Sequence, residues 1–441
     1  MLLSFGFQNF RSFADYAELT LTSPTFRTNV PRAGQSWPDV TERVAAIYGP
    51  NAAGKTTVLE AILALSLALR SPGSGRIYQP SLSGDLRAEP VLFDVEFIAQ
   101  GVRHRYEVEA GPSGIVREVL SAYPKGTARM LFTRTQGEEE SEVEVKAGAS
   151  LTGPTAEVRR VTKSGMLFLA TAHKYGHPVL TPIASALLAG VGIDHISFRD
   201  RQSEDVLHRV VMEMVAAPDT QVNLLKALVR TADLGVESIE VRSEEVSEED
   251  RERLLRVLKA LDDGEEVEED RVPTLRDVIT FRHHGNDGDI FELPLHRESS
   301  GTITWLTTAW HALDALRQGS VLLIDELDAS LHPDLARYVV SLFLNPHLNP
   351  RGAQLLFTSH DVSLLGNAPA RMLEPQLVWF VEKAEDGRSE LFSQADFENR
   401  AGNNSERRYL AGKFGAVPDI DDGLLMRFIA SPAHQGERDG R

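Results

Sequence analysis

Eight residues near the start of the chain, Gly49-Pro50-Asn51-Ala52-Ala53-Gly54-Lys55-Thr56, have the spacing G-x-x-x-x-G-K-[ST]. Glycines at that separation let backbone N–H groups close around phosphate oxygens. A helix starting at the lysine adds the positive end of its dipole. Lys55 is placed to reach the outer phosphates of a nucleotide, and the Thr56 hydroxyl is a hard oxygen ligand suited to Mg2+. The expected cradle is Gly49, Asn51, Ala52, Ala53, Gly54, Lys55, Thr56 and Thr57, with ATP and Mg2+ as cofactors.

Three later segments complete a set. VLLIDELDASLHP (321–333) is an apolar run that ends in two carboxylates. Asp325 is placed to hold Mg2+ through water, and Glu326 to orient or deprotonate an attacking water. QLLFTSHD (354–361) is a second apolar run and delivers His360 to the same end of a sheet, where it can contact a terminal phosphate. Glu298-Ser299-Ser300-Gly301-Thr302 opens a helix with a serine cap, which is an ordinary N-terminus and also an anion site. The cradle already takes the phosphates from one side, so this second site is expected to act on nucleotide held by another copy.

The elements that must position these residues can be read from periodicity. Residues 44–48 form a short apolar strand before the glycine loop, and 56–69 a helix after it that stops at the breakers SPGSG. The first strand alternates Leu3, Phe5, Phe7 against Ser4, Gly6, Gln8, the pattern of an edge or half-buried strand. Between about 90 and 146, VLFDVEFI, VRHRYEVEA and IVREVLSAY alternate with period two, as in an antiparallel sheet. Residues from about 164 to 261 read as mostly helical. From 276 onward helices at 302–317 and from Pro333 alternate with apolar strands at 321–325, 354–359 and 377–383, which indicates a mainly parallel sheet. The expected class is α/β, with an antiparallel β subdomain and a helical insertion. The expected divisions are 1–200, an acidic helical insertion at 201–275, and 276–441.

Composition narrows the chemistry. There is no cysteine, which excludes disulfide scaffolds, thiolate zinc sites and cysteine nucleophiles. The net charge of −18 argues against blanket nucleic-acid binding, although a local basic groove of Arg11, Arg103, Arg105, Arg159 and Arg160 stays open. Residues 237–271 hold 15 acidic and 6 basic side chains, so half of that charge sits in one stretch. It reads as a solvated face with an acidic loop at 262–270. The longest apolar stretch, 58–69, contains Glu60 and is too short for a membrane span, and MLLSFGFQNFRSF has no basic leader. A cytoplasmic protein without a membrane partner is expected. His283-His284 with Asp287 and Asp289 is metal-like text, but the glycines between them read as a turn.

The order of these four elements resembles the ABC-type ATPase superfamily. Residues 298–302 stand for its signature, 321–326 for its Walker B strand, Asp328 for its D-loop and His360 for its H-loop. Ser299 matches the serine and Gly301 the second glycine of the transporter LSGGQ signature, with Ser300 between them. QNFRSF at the start, ESSGT, IDELDASLHP, TSHDVSLL and RRYLAGKFGAVP (407–418) look like one narrower group. This group is the AAA-type ATPases of abortive-infection, restriction-linked (RloA-like) and PARIS-type anti-phage systems.

That resemblance implies a P-loop NTPase fold of ABC-ATPase type. It implies heads that dimerise around ATP, often within larger homo-oligomers, with Arg11 near the nucleotide. It further implies a partner effector such as a nuclease or toxin, and a trigger such as DNA or a phage protein. The Q-loop glutamine has no match: Gln100 falls in the hairpin region, and ATAHKY (170–175), where it would be sought, offers His173. A DNA-repair head of RecF or SMC kind is the alternative. A transporter subunit is disfavoured by the antiparallel insert, the SSGT signature and the C-terminal GKFGAVP.

Overall fold

The computed structural model describes residues 1–73, 77–136, 143–191, 194–197, 203–216, 227–232, 235–261, 275–285, 289–368, 370–398, 403–417 and 426. The acidic loop expected at 262–270 and Asp287 lie outside them. The strands are β1 (Leu2–Gln8), β2 (Ala17–Thr20), β3 (Val44–Tyr48), β4 (Val91–Ala99), β5 (Val102–Gly111), β6 (Gly114–Tyr123), β7 (Arg129–Gln136), β8 (Val143–Ala147), β9 (Asp194–Ile196), β10 (Val236–Glu245), β11 (Leu275–His284), β12 (Ile290–Pro294), β13 (Val321–Ile324), β14 (Gln354–Thr358), β15 (Val378–Lys383) and β16 (Ser389–Ser393). The helices are α1 (Lys55–Arg70), α2 (Thr155–Val161), α3 (Phe168–Lys174), α4 (Leu180–Gly190), α5 (Glu204–Ala216), α6 (Glu248–Leu261), α7 (Ser300–Gln318), α8 (Pro333–Leu344) and α9 (Ser405–Leu410).

Among the described residues parallel pairing is confined to one sheet, ordered β16-β15-β3-β14-β13-β9. Four of its five pairings are parallel, and β16 closes one edge antiparallel to β15. The central strands are apolar on both faces because each feeds two cores. Ala45, Ile47, Val321, Leu323 and Leu356 enter the core beneath α1. The residues between them, Val44, Ala46, Tyr48, Leu322, Ile324, Leu355 and Phe357, enter the core beneath α7 and α8. A strand buried on both sides reads as a continuous apolar run, as these do. The three chemistry-bearing loops leave the carboxyl ends of β3, β14 and β13, which are neighbours in the sheet. Ligand sites of open parallel sheets form at that end.

The second sheet is antiparallel, ordered β2-β1-β4-β5-β6-β7-β8. β1 is not an edge strand: it lies between β2 and β4 and is buried on both faces. Its polar-looking side is covered because Gly6 leaves room for the ring of Tyr16, whose hydroxyl would stand 2.1 Å from a Cβ at that position. A buried amide bonds the two sheets to each other. The buried Gln354 amide at the start of β14 accepts from Leu2 N at 2.7 Å and donates to Leu2 O at 2.9 Å and Glu42 O at 3.1 Å.

The insertion expected at 201–275 is only partly helical. α5 and α6 are there, but residues 236–245 form β10, which pairs with β11 and through it with β12. A register shift between Val236 and Ser238 adds one residue. It puts Val236 in phase with Ile239 and Val241, which face Phe281 and Ile279 across the pair. The extra residue breaks the period-two pattern in the text, so the segment reads as helix. β11 pairs antiparallel with β12, with His284 opposite Ile290, and Gly285 N donates to Asp289 O at 2.6 Å; residues 286–288, at the centre of the expected turn, lie outside the described residues.

The C-terminal motif is built onto β15. Phe380 stacks on Tyr409 at 5.3 Å and on Phe414 at 5.1 Å, and the Tyr409 hydroxyl donates to Ala416 O at 2.8 Å. Tyr48, at the end of β3, touches the same aromatic group and donates to Asp361 O at 3.2 Å, next to His360. Among the described residues no helix is long and apolar enough to cross a membrane.

Candidate functional site

The loop between β3 and α1 is held by Lys55, whose buried ammonium turns back to donate to Gly49 O at 2.9 Å and Pro50 O at 3.1 Å. Burial pushes this ammonium below its usual pKa, and the carboxylates of Asp325, Glu326 and Asp328 act in the other direction. Gly49 has φ +152°, and a Cβ there would stand 2.3 Å from the carbonyl oxygen of Val381 on β15. No side chain fits without separating the loop from the sheet. Gly49→Ala is therefore expected to weaken nucleotide binding by about tenfold or more and to lower the melting temperature by several degrees. Nucleotide titration and thermal unfolding check both.

Gly54, at φ +114°, is backed by two hydroxyls that the sequence did not flag. A Cβ on it would lie 2.8 Å from Ser389 Oγ and 3.1 Å from Ser12 Oγ. Ser389, on β16, donates its hydroxyl to Ala53 O at 2.6 Å and its N–H to Ser12 O at 2.9 Å, and the two hydroxyls are 2.8 Å apart. Ala53 is itself buried, so its part in the loop is this carbonyl contact rather than a side chain facing outward.

Asp325 leaves the end of β13 and meets Thr56 from α1. The Thr56 hydroxyl lies 3.0 and 3.1 Å from its two carboxylate oxygens. Thr358, the last residue of β14, donates to Asp325 Oδ1 at 2.7 Å and accepts from Glu326 N at 2.7 Å. One hydroxyl thus ties the two acidic residues to the strand between them and the glycine loop. Thr358 was missed in the sequence; its only signal was its place at the end of an apolar run, two residues before His360. Glu326 holds φ +54°, a left-handed backbone that costs a non-glycine residue about 1 kcal/mol or more. The Thr358 bond holds it there. Asp328 accepts from His360 N at 3.1 Å, so within one chain the D-loop position fixes the backbone of the histidine loop.

These elements enclose a cavity of about 350 Å³. Asn51, Ala52, Gly54, Lys55, Thr56 and Thr57 line it from the loop, and Arg11, Ser12, Glu326 and His360 from the other elements. A second cavity of about 650 Å³ shares Arg11 and Ser12 with it and continues between residues 79–83 and 386–388. Arg11 stands at the junction at φ +51°, paired with Glu60 of α1 and donating to Gln79 Oε1 at 3.0 Å. Asn9, two residues earlier, accepts from Ser81 N at 3.0 Å and donates to Leu86 O and Glu89 O, each at 2.9 Å, and so fixes the segment that walls the second cavity.

Ser299, Ser300 and Gly301 do not line either cavity. Ser299 caps α7, its hydroxyl accepting from Thr302 N at 3.0 Å. Gly301 has only ordinary contacts, the nearest being Ser330 O at 3.5 Å from a built Cβ. His173 and Gln100 are also remote. His173 lies beside Leu69 and Arg70 at the far end of α1, roughly 20 Å from Thr56 at 1.5 Å rise per residue, and Gln100 occupies the β4–β5 turn. Of the five arginines weighed as a basic groove, Arg103 is paired with Glu96 at 2.5 Å and Arg105 with Asp94 at 2.7 Å, and Arg11 with Glu60. Those three cations are already matched.

The residues fit the groups the sequence implies. A glycine loop with a lysine bound only to carbonyls suits phosphate. The Thr56 hydroxyl beside Asp325 is the hard oxygen set that suits Mg2+, with the remaining ligands left to phosphate and water. Among the described residues no three His, Asp or Glu side chains gather as a metal cluster elsewhere, and His283, His284 and Asp289 form none.

The sequence matches the profile of a family described as "AAA domain, putative AbiEii toxin, Type IV TA system" over residues 44–163 and 188–366. No curated protein matches it. Among solved structures it is similar to the SMC head domain from Thermotoga maritima, at 13% identity and a TM-score of 0.39, over 89% of this chain and 98% of that one.

Proposed function

This chain belongs to the family of AAA domains described as "putative AbiEii toxin, Type IV TA system", and on that premise we propose that it is an ATP-driven switch of a bacterial anti-phage system. Two copies close over two nucleotides, and the closed and open states control a second protein, an effector such as a nuclease or toxin. The toxin–antitoxin pairing in the family description supports a two-component arrangement.

Each residue has a role in this reading. Lys55 exchanges its two carbonyl partners for phosphate oxygens. Thr56 and Asp325 hold Mg2+, which when bound offsets phosphate charge. Glu326 accepts the proton of the attacking water, and His360 meets the terminal phosphate. Arg11 and Ser12 mark where the phosphate cavity opens into the larger one, whose volume suits a nucleoside. Ser299 and Gly301 complete the site from the other copy, with Asp328 at the seam. Closure comes from charge-assisted contacts to the terminal phosphate and is lost when that phosphate leaves.

The observation that carries the reading is the separation of the two halves. Lys55, Thr56, Glu326 and His360 line one cavity with Asp325 bonded to Thr56 behind them, whereas the Ser299 turn lies outside it. The test is sedimentation of the purified wild-type protein with Mg2+ and a slowly hydrolysed ATP analogue. A monomer-to-dimer shift with the analogue and none with ADP is expected. A strict monomer under saturating nucleotide overturns the proposal.

A further inference from the structure

We propose that Glu298, fixed by His283, is the positioning residue of the Ser299 turn, so that the β10–β12 sheet sets how that turn is presented. The inference rests on the reading that Ser299 and Gly301 act on nucleotide held by a second copy.

Glu298 stands directly before the helix cap, yet its side chain is only 3% exposed. Both oxygens are used. Oε1 lies 2.5 Å from His283 Nε2, and Oε2 accepts from Ser299 N at 3.1 Å. One carboxylate therefore bridges β11 to the first turn of α7. Its charge also sits where a helix N-terminus favours an anion. The next N–H groups divide in a definite way. Thr302 N goes to the Ser299 hydroxyl, and Ile303 N makes the first intrahelical bond, to Ser299 O. Ser300 N and Gly301 N precede that bond and have no acceptor within the helix. With Ser299 N taken by Glu298, the direction of the two remaining donors is fixed by the carboxylate.

The other end of the bridge is rigid as well. The His283 ring stacks on Phe291 of β12 with centroids 5.3 Å apart and planes at 15°, and its backbone sits opposite Val236 of β10. All three strands of the small sheet thus bear on this histidine. A shift of the sheet moves the Ser299 turn directly, because a carboxylate held at both ends has no slack.

The experiment compares Glu298→Ala, Glu298→Gln, His283→Ala and His283→Gln with Ser299→Ala. For each, binding of a fluorescent ATP analogue to the monomer, thermal stability and ATP turnover are measured. Loss of a hydrogen bond to a charged group predicts turnover about tenfold lower or more for Glu298→Ala and His283→Ala. Monomer affinity should be unchanged, because the phosphate cavity is not touched. His283→Gln keeps a side-chain donor within reach of the carboxylate, and Glu298→Gln keeps an acceptor for Ser299 N, so each should recover part of the loss. A purely structural role would lower stability without this rescue. Normal turnover in both alanine variants, with Ser299→Ala impaired, overturns the inference and leaves the dimer reading intact. Normal turnover in Ser299→Ala as well overturns both. Should Glu298→Ala not fold, the His283 pair decides alone.

Discussion

Glu326→Gln is expected to bind ATP as well as the wild type and to hydrolyse it roughly 10²- to 10⁴-fold more slowly. The substitution keeps shape and removes only the ability to take a proton. The backbone bond that places the residue does not run through the carboxylate. Its left-handed backbone is held by the bond from Glu326 N to Thr358, and its neighbour Asp325 keeps both threonine partners. The contacts proposed to close two copies over nucleotide come from Lys55, His360 and the Ser299 turn, none of which is altered. Closure therefore proceeds, and the step that undoes it does not. The closed dimer should accumulate with ordinary ATP and Mg2+, visible by sedimentation, where the wild type passes through it. Wild-type turnover in this variant means that another group is the base.

The second large effect comes from mixing two inactive proteins. Lys55→Ala removes the ammonium that lines the phosphate cavity and should abolish nucleotide binding. Ser299→Ala leaves the cavity whole and removes the proposed lid. Alone, each should show almost no turnover. In a mixed dimer the cradle of the Ser299→Ala copy faces the intact turn of the Lys55→Ala copy, so one of two sites is complete. With free exchange and two-fold symmetry, half the dimers are mixed, and equimolar mixing should restore about a quarter of wild-type activity. A site complete within one copy would give no recovery. The measurement is ATP turnover across a titration of one variant into the other.

What could be read from the text was what lies contiguous in it. The glycine loop, the acids after β13 and His360 each sit within a short string whose flanking apolar runs announce strands. The structure brings these strings to one cavity. What escaped was contact between distant strings. Thr358 binds Asp325 and Glu326, and Ser389 props Ala53 from more than 300 residues away; a serine or threonine carries no mark of such a task. β10 escaped because a bulge breaks its alternation, and β1 seemed half-exposed because Tyr16 hides its polar face. Glu298 was visible as part of ESSGT, but its burial against His283 depends on a small sheet that periodicity did not resolve.

The Gln354 amide has a dynamic consequence. It satisfies both backbone groups of Leu2 in a buried seam, as a paired strand would, and adds Glu42 O. Hinging at that seam would strand polar groups away from water, at roughly 1–3 kcal/mol for each one. The N-terminal sheet and the sheet bearing the glycine loop therefore travel as one rigid frame. Strain generated during a nucleotide cycle is then passed to the opposite flank, where the first turn of α7 is tied to the small sheet through Glu298 and His283.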